Sequence, residues 1–192
     1  MSIFGVKTFP SRQKIGLTFI KVSLFCFAII IAISFYQQYR QKILSFNTVP
    51  QFVQNNSGSL YPSQISIARL KIDLPVSPAK IKAGIWEISQ DGVSYLVGSG
   101  IPGKGGNVVI YGHNKKYLLG PILSLKKGDQ VRIKNTKGDE YEYLVEEIKT
   151  VTPDQIEVLL PGNGASLTLY TCSGLFDSKR FVALARLKED RK

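Results

Sequence analysis

An apolar run near the start of the chain places the strongest constraint on its fold. Residues 15–36 read IGLTFIKVSLFCFAIIIAISFY, a stretch of 22 residues interrupted by one charge, Lys21. At about 1.5 Å per residue, a helix of this length crosses a hydrocarbon core of roughly 30 Å. The run therefore predicts a transmembrane anchor. A cleaved signal peptide is the alternative, but the length of the run favours an anchor that is retained.

The distribution of charge predicts the orientation of this anchor. The net charge is +11, and residues 1–62 carry +6 of it without any acidic residue. Three basic residues precede the apolar run and two follow it, so the positive-inside rule predicts a cytoplasmic tail at 1–14 and an extracellular C-terminal domain. The other +5 is dispersed over residues 63–192 among acidic side chains. This mixed pattern indicates a solvated surface and argues against a nucleic-acid-binding protein.

Short apolar runs separated by turn signals fill residues 63–192. Residues 37–62 lose the apolar continuity and end in Asn, Ser, Gly and Pro, which predicts a linker or stalk. The runs after it are rich in Val, Ile, Leu, Tyr and Thr, as is typical of strands. The predicted strands cover residues 65–76, 106–112, 129–135, 140–151, 165–172 and 180–187. Short helical turns are predicted at 78–84, 117–125 and 153–159. This pattern predicts an all-β domain, either a barrel or a sandwich.

Two reactive side chains distinguish this domain. The chain holds two cysteines, Cys26 in the apolar run and Cys172 in the domain, and a single histidine, His113. The two cysteines have such different surroundings that we do not expect a disulfide between them. A thiol on the outer side of a membrane is open to oxidation, so Cys172 calls for a functional reason. Cys172 ends one predicted strand and His113 follows another, where side chains emerge from the rim of a barrel.

Arg180 opens the strand that follows Cys172. If these two strands are antiparallel neighbours joined by residues 173–179, the thiol and the guanidinium stand on adjacent strands about 4.8 Å apart. The guanidinium could favour a thiolate, or it could donate hydrogen bonds to a carbonyl oxygen that gains charge during nucleophilic attack. Gly112, directly before His113, is expected to permit a backbone turn there.

Taken together, these residues resemble a known family. The sequences TLYTC at 168–172 and YGH at 111–113, followed by Arg180, are similar to the motifs of the sortases, which are membrane-anchored cysteine transpeptidases. The similarity extends over about residues 64–188. It implies an eight-stranded sortase-type β-barrel, preceded by an N-terminal transmembrane helix. The subclass is not fixed by these motifs, although the resemblance leans toward class D or class E enzymes.

The resemblance also implies a mechanism of acyl transfer. Cys172 would attack the Thr–Gly peptide carbonyl of an LPxTG-like sorting signal and form a thioacyl-enzyme. An amine of a cell-wall precursor or a pilin would then resolve this intermediate. His113 would serve as general acid and base, and Arg180 would hold the substrate or the oxyanion. Thr168 and Thr171 are further candidates for contacts with the substrate.

The expected partners follow from this mechanism: surface proteins with a C-terminal sorting signal, an amine nucleophile and the lipid bilayer. No cofactor is expected. The acidic residues between 139 and 147 fit a solvated strand edge better than a calcium site, and one histidine with one thiol cannot make a zinc site. Two alternatives stay open. One is a membrane-tethered cysteine peptidase that uses water as its nucleophile, and the other is a non-catalytic barrel that binds peptides or surface polymers.

Overall fold

The computed structural model describes residues 12–42, 44–50, 60–162 and 164–188. The chain divides into two compact units, Met1–Arg40 and Gln41–Lys192. A single long helix, α1, covers Arg12–Lys42, and every described strand belongs to the second unit.

Helix α1 contains the predicted anchor. Its section Phe19–Tyr36 is long and apolar enough to cross a membrane, and none of that section is buried. Large exposed apolar surfaces are rare in water-soluble monomers, so this surface supports the assignment of an anchor. The N-terminal tail predicted at 1–14 falls mostly outside the described residues.

The region predicted as a stalk, residues 37–62, contains two kinds of described structure. Its first part continues helix α1 to Lys42. The side chains of Leu44, Ser45 and Phe46 are then buried. Residues 51–59 lie outside the described residues, and the first strand begins at Pro62.

Eight strands of the second unit form a closed barrel, which confirms the predicted fold. Around the barrel the order is β1-β2-β5-β6-β9-β10-β8-β7, and β7 pairs with β1 to close it. The pairs β2–β5 and β6–β9 are parallel, and the other pairs are antiparallel. Two short strands, β3 and β4, form a separate hairpin. The described strands are β1 (Pro62–Ile67), β2 (Ile72–Ala79), β3 (Ile81–Lys82), β4 (Ile85–Trp86), β5 (Val93–Leu96), β6 (Gly106–Gly112), β7 (Gln130–Asn135), β8 (Glu140–Val151), β9 (Ala165–Ser173) and β10 (Lys179–Leu187).

The prediction of one continuous strand over residues 65–76 is wrong. The chain forms β1, a 3-10 turn at Ala68–Leu70 and then β2, which returns antiparallel to β1 with Ile67 opposite Ile72. Lys71 takes a left-handed φ of 54° to close the turn. No glycine, proline or asparagine marks this turn, and apolar side chains continue on both sides of it, so the sequence carries no turn signal.

Other short elements were predicted with mixed success. The helical turns expected at 117–125 and 153–159 are confirmed as 3-10 helices at Gly120–Ser124 and Ile156–Leu159. The turn expected at 78–84 is wrong, because that region holds the end of β2 and the strand β3. Strand β5 was not predicted, since it is only four residues long and carries the polar Ser94.

Two apolar clusters lie on opposite faces of the barrel wall. The larger cluster takes side chains from all eight barrel strands, so it fills the interior. The smaller cluster lies on the outer face and takes residues of opposite parity from β2, β5, β6, β9 and β10; its buried members are Leu44, Phe46, Ala79, Trp86, Leu96, Val109, Tyr111, Val151, Leu159, Tyr170, Cys172 and Val182. Along β9, Leu167 and Leu169 therefore point inward, whereas Tyr170 and Cys172 point outward.

The loop that leads into β6 gives a test of this packing. A Cβ added to Gly100 would lie 2.8 Å from backbone atoms of Gly106 and Asn107, whereas one added to Gly105 would meet no atom within 4 Å. We expect Gly100→Ala to lower the free energy of unfolding by about 1–3 kcal/mol through overpacking. Gly105→Ala should change it by less than about 0.5 kcal/mol. Urea unfolding of the full chain in detergent, followed by the fluorescence of Trp86, measures both; equal stability of the two variants would contradict the packing described.

Candidate active site

Three neighbouring strands bring His113, Cys172 and Arg180 to one end of the barrel. Strand β6 runs parallel to β9 with Gly112 opposite Thr171, so His113 leaves β6 level with Cys172. Strand β10 runs antiparallel to β9 on its other side, with Arg180 directly opposite Cys172. Adjacent strands are about 4.8 Å apart. The predicted adjacency of Cys172 and Arg180 is therefore confirmed, and the thiol lies between the histidine and arginine strands.

A tight turn after β6 fixes the backbone at His113. The carbonyl oxygen of His113 accepts hydrogen bonds from the N–H groups of Lys115 at 2.9 Å and Leu119 at 3.2 Å, and the residue is buried. Gly112 stays in the extended strand, so the expected role in a backbone turn is wrong. A glycine fits this position because there is little space for a side chain: a Cβ there would lie 3.2 Å from the Leu119 side chain and 3.3 Å from Val93.

The Cys172 thiol is buried on the outer face of the barrel wall. Its exposed fraction is 1%, and its sulfur receives hydrogen bonds from backbone N–H groups, including that of Asn114. The pKa of Cys172 is raised to about 12, mainly by burial and in smaller part by the negative charge of the nearby Asp177 carboxylate. The positive charge of Arg180 opposes this shift but does not cancel it. The thiol is therefore protonated at neutral pH in this arrangement.

Arg180 is held by backbone carbonyl groups. Its Nη1 donates to the carbonyl oxygens of Asp177 at 2.8 Å and Lys179 at 3.0 Å, and its Nη2 donates to that of Ser45 at 2.9 Å. Only 3% of the residue is exposed. Phe176 and Asp177 both take left-handed φ values, 53° and 56°, which L-residues rarely adopt. This strained turn places the Asp177 carbonyl beside the guanidinium.

Comparison with known proteins agrees with this geometry. A family model described as a sortase domain matches residues 65–188. The chain belongs to the sortase family. It is 35% identical over 128 residues to the protein named Sortase A of Bacillus anthracis, covering 65% of this chain and 58% of that protein. It is 30% identical over 133 residues to Sortase A of Streptococcus agalactiae, covering 65% and 52%. The sortase chain spans about half the length of the curated relatives it matches.

Solved sortase structures share the barrel. Sortase A of Listeria monocytogenes superposes with a TM-score of 0.56 at 27% identity, covering 68% of this chain and 88% of that one. Sortase A of Corynebacterium diphtheriae gives a TM-score of 0.59 at 24% identity, covering 80% and 81%, and at that identity the likeness concerns the fold alone. The lean toward class D or class E stays a prediction.

The two threonines of the TLYTC sequence make internal hydrogen bonds in this sortase. Thr171 is fully buried, has the parity of the interior, and donates through Oγ1 to the Gly112 carbonyl at 2.8 Å. It thereby ties the end of the histidine strand to the cysteine strand. Thr168 Oγ1 donates to the Val158 carbonyl at 2.9 Å and accepts from Asn107 Nδ2 at 2.8 Å. Both hydroxyls therefore hold neighbouring strands and loops together.

An aromatic cluster beside Cys172 was not predicted as part of the site. Tyr111 and Tyr170 stack with ring centroids 5.2 Å apart and planes 10° from parallel. Trp86 contacts Tyr111 edge-on at 5.7 Å, and Phe46 contacts Tyr170 edge-on at 5.3 Å. The sequence does carry a signal for part of it, since Tyr170 shares the outward parity of Cys172. Trp86 and Phe46 come from a short hairpin and from the predicted stalk, where no strand periodicity points to them.

The acidic residues of β8 are surface ion-pair partners in this structure. Glu142 pairs with Lys188, Glu146 with Arg186, and Glu147 with Lys149, all with N–O distances of 2.7–3.1 Å. Among the described residues, no group of three or more His, Cys, Asp and Glu side chains could hold a metal ion.

The buried thiol predicts an unusual pH dependence. Iodoacetamide reacts with the thiolate, so the alkylation rate of Cys172 should rise about tenfold per pH unit from pH 7 to 10 without levelling, because the pKa lies near 12. Asp177→Asn should raise the rate at each pH by removing a negative charge near the sulfur. The measurement uses the full chain carrying Cys26→Ala, with Asp139→Asn, at the end of β8 opposite to the Arg180–Val151 pair, as the control. A plateau below pH 9 would contradict the burial described.

Proposed function

We propose that this sortase is a cysteine transpeptidase that cleaves an LPxTG-like sorting signal between Thr and Gly. The observation that carries the proposal is the register of β6, β9 and β10, which sets Cys172 between His113 and Arg180. A nucleophile, a titratable base and a fixed cation at one end of the barrel suit acyl transfer. Family membership supports the same chemistry.

The proposed reaction has two acyl-transfer steps. The Cys172 sulfur bonds to the threonine carbonyl carbon, and the carbon–nitrogen bond to glycine breaks as His113 protonates the leaving amine. In the second step an incoming amine attacks the thioester, His113 takes its proton, and the thiolate leaves. Arg180 Nη2 donates to the carbonyl oxygen that gains negative charge in both steps. In the structure this N–H group already holds a carbonyl oxygen, that of Ser45.

The pKa of Cys172 must fall before the thiol can react as a thiolate. Burial is the main cause of the raised pKa of Cys172, so exposure of the sulfur lowers that pKa toward its ordinary value. The first deprotonation of Cys172 is assigned to His113, the titratable group at the end of the adjacent strand. Thr171 supports this transfer as a positioning residue, because its hydrogen bond to Gly112 fixes the two strand ends relative to each other.

The proposed substrates and location follow from the anchor. Helix α1 would hold the enzyme in the cell membrane with its N-terminus inside and its barrel outside, in agreement with the basic residues that precede the apolar run. The acyl donor would be a surface protein with a C-terminal sorting signal. The acceptor would be an amine of a peptidoglycan precursor or of a pilin.

Intact-mass analysis tests this function. The full chain in detergent, incubated with an LPxTG peptide, should gain the mass of the peptide up to its threonine, and Cys172→Ala should gain nothing. Addition of triglycine should convert the adduct to a ligated peptide. Cys26→Ala is the matched control and should behave as the parent chain. Hydrolysis of the peptide with no ligation to any amine would favour a peptidase, and the lack of an adduct with a library of sorting peptides would favour a binding module.

A further inference from the structure

Two loops beside Cys172 carry the most exposed large apolar side chains of the barrel unit. Among the described residues of that unit, these side chains are Phe176 at 81%, Leu175 at 77% and Tyr117 at 68% exposure. Leu175 and Phe176 belong to the loop that joins β9 to β10, and Tyr117 belongs to the loop that follows β6. Scattered exposed apolar residues are ordinary, but a concentration of the largest ones at one end indicates a contact surface. We name Tyr117, Leu175 and Phe176 the apolar rim.

Both loops of the apolar rim reach the surroundings of the Cys172 sulfur. The N–H of Asn114, three residues before Tyr117, donates to that sulfur. The Asp177 carboxylate, next to Phe176, contributes to the raised pKa of the thiol. Strands β6 and β9 are parallel neighbours, so the loops that follow them leave the barrel at the same end. The apolar rim therefore lies at the end of the barrel that carries the proposed active site.

The loop between β9 and β10 is held in a strained conformation. Phe176 and Asp177 have φ values of 53° and 56°, in the left-handed region that L-residues seldom occupy. Such conformations persist where the surrounding structure enforces them, and they cluster at functional positions. Here Arg180 Nη1 donates to the Asp177 carbonyl at 2.8 Å and fixes the turn. The loop thus has a fixed shape that leaves Leu175 and Phe176 exposed.

The same guanidinium binds the chain that comes from the apolar section of α1. Arg180 Nη2 donates to the Ser45 carbonyl at 2.9 Å. That apolar section ends at Tyr36, nine residues before Ser45. Nine residues of chain reach at most about 32 Å, whatever the arrangement of the two units. The chain therefore keeps this end of the barrel within reach of the surface of a bilayer that holds α1.

Lysine side chains accompany the apolar rim. Lys116 and Lys179 are exposed, and Lys115 Nζ lies 5.6 Å from the ring centroid of Tyr117. Aromatic rings sit at the headgroup level of membranes, and basic side chains beside an apolar surface bind anionic headgroups. The composition of this end of the barrel is therefore that of a surface in contact with lipid.

We propose that the apolar rim inserts into the surface of the bilayer that holds α1, with Lys115, Lys116 and Lys179 at the level of the headgroups. Asp154, after the end of β8, and Asp177 lie at the same end, so the apolar side chains supply the main part of the contact and the lysines a smaller part. The insertion stands on the exposed side chains and on the length of the connecting chain. Its consequence, that membrane-held acyl donors and acceptors meet the thiol at the headgroup level, rests on the proposed function.

Quenching by brominated lipids measures the insertion without any substrate. The full chain is reconstituted into vesicles of phosphatidylcholine and phosphatidylglycerol, with bromine atoms near the top of the phosphatidylcholine acyl chains. Phe176→Trp puts a fluorescent reporter on the apolar rim. Lys137→Trp puts one in the exposed turn between β7 and β8, at the end of β8 opposite to Val151. Trp86 is buried and gives the same background in both variants and in the parent chain.

The two reporters should differ in their quenching. We expect the bromines to remove about half of the emission added by Phe176→Trp and less than about a tenth of that added by Lys137→Trp, because inserted side chains lie roughly 5–10 Å into the interface. Since both reporters are Trp, the affinity of the indole ring for lipid does not explain a difference. Quenching of Phe176→Trp no greater than that of Lys137→Trp would overturn the proposal, as would a chain that does not float with the vesicles.

Two further measurements separate the apolar and the charged contributions. Leu175→Ser, added to Phe176→Trp, should lower the quenching by about twofold because it removes apolar area from the contact. Leu175 is exposed, so the barrel should keep its thermal melting temperature. Unchanged quenching would overturn insertion of the apolar rim. Vesicles without phosphatidylglycerol should give a smaller decrease, and equal quenching in both vesicle types would overturn the role of the lysines.

Adduct formation with an LPxTG peptide keeps this proposal distinct from the proposed function. Quenching of Phe176→Trp in a protein that forms no peptide adduct supports the insertion and overturns the sorting function. Peptide adducts on Cys172 without quenching support the sorting function and overturn the insertion.

Discussion

The main-chain pairing of β9 with β6 on one side and β10 on the other is the constraint on which the site depends. His113 and Cys172 are 59 positions apart in sequence, and only the parallel register of β6 and β9 makes them neighbours. The antiparallel register of β10 then sets Arg180 opposite the cysteine. A shift of one residue in either pairing would turn Cys172 toward the interior or move it away from its partners.

Burial of Cys172 and Arg180 is the second physical feature of this site. A thiol and a guanidinium are both buried here, and the two terminal nitrogens of the guanidinium donate to carbonyl oxygens of three residues. A buried cation needs such partners, because desolvation without them is expensive. One of the three carbonyls belongs to Ser45, outside the barrel strands, so Arg180 also joins the stretch before the first strand to the end of β10.

Much of this arrangement could be predicted from the sequence. Cys172 and Arg180 are joined by a short loop, so their adjacency follows from local strand geometry, and alternation along β9 separates inward from outward side chains. The partnership with His113 came from resemblance to a family, because a parallel pairing over 59 residues leaves no local signal. The β1–β2 hairpin was missed because Lys71 closes it without a turn residue. The burial of Leu44 and Phe46 was missed because tertiary contacts, and no periodic pattern, determine it.

The central claim is that the register of β6, β9 and β10 sets Cys172 between His113 and Arg180 for attack on a peptide carbonyl. The most direct measurement is a crystal structure of the protein with an LPxT peptide analogue linked through a disulfide to Cys172. The account predicts that the peptide lies on the outer face of β9, with its threonine carbonyl oxygen within hydrogen-bond distance of Arg180 and with His113 beside the sulfur. A peptide whose threonine carbonyl points away from both Arg180 and His113 would contradict it.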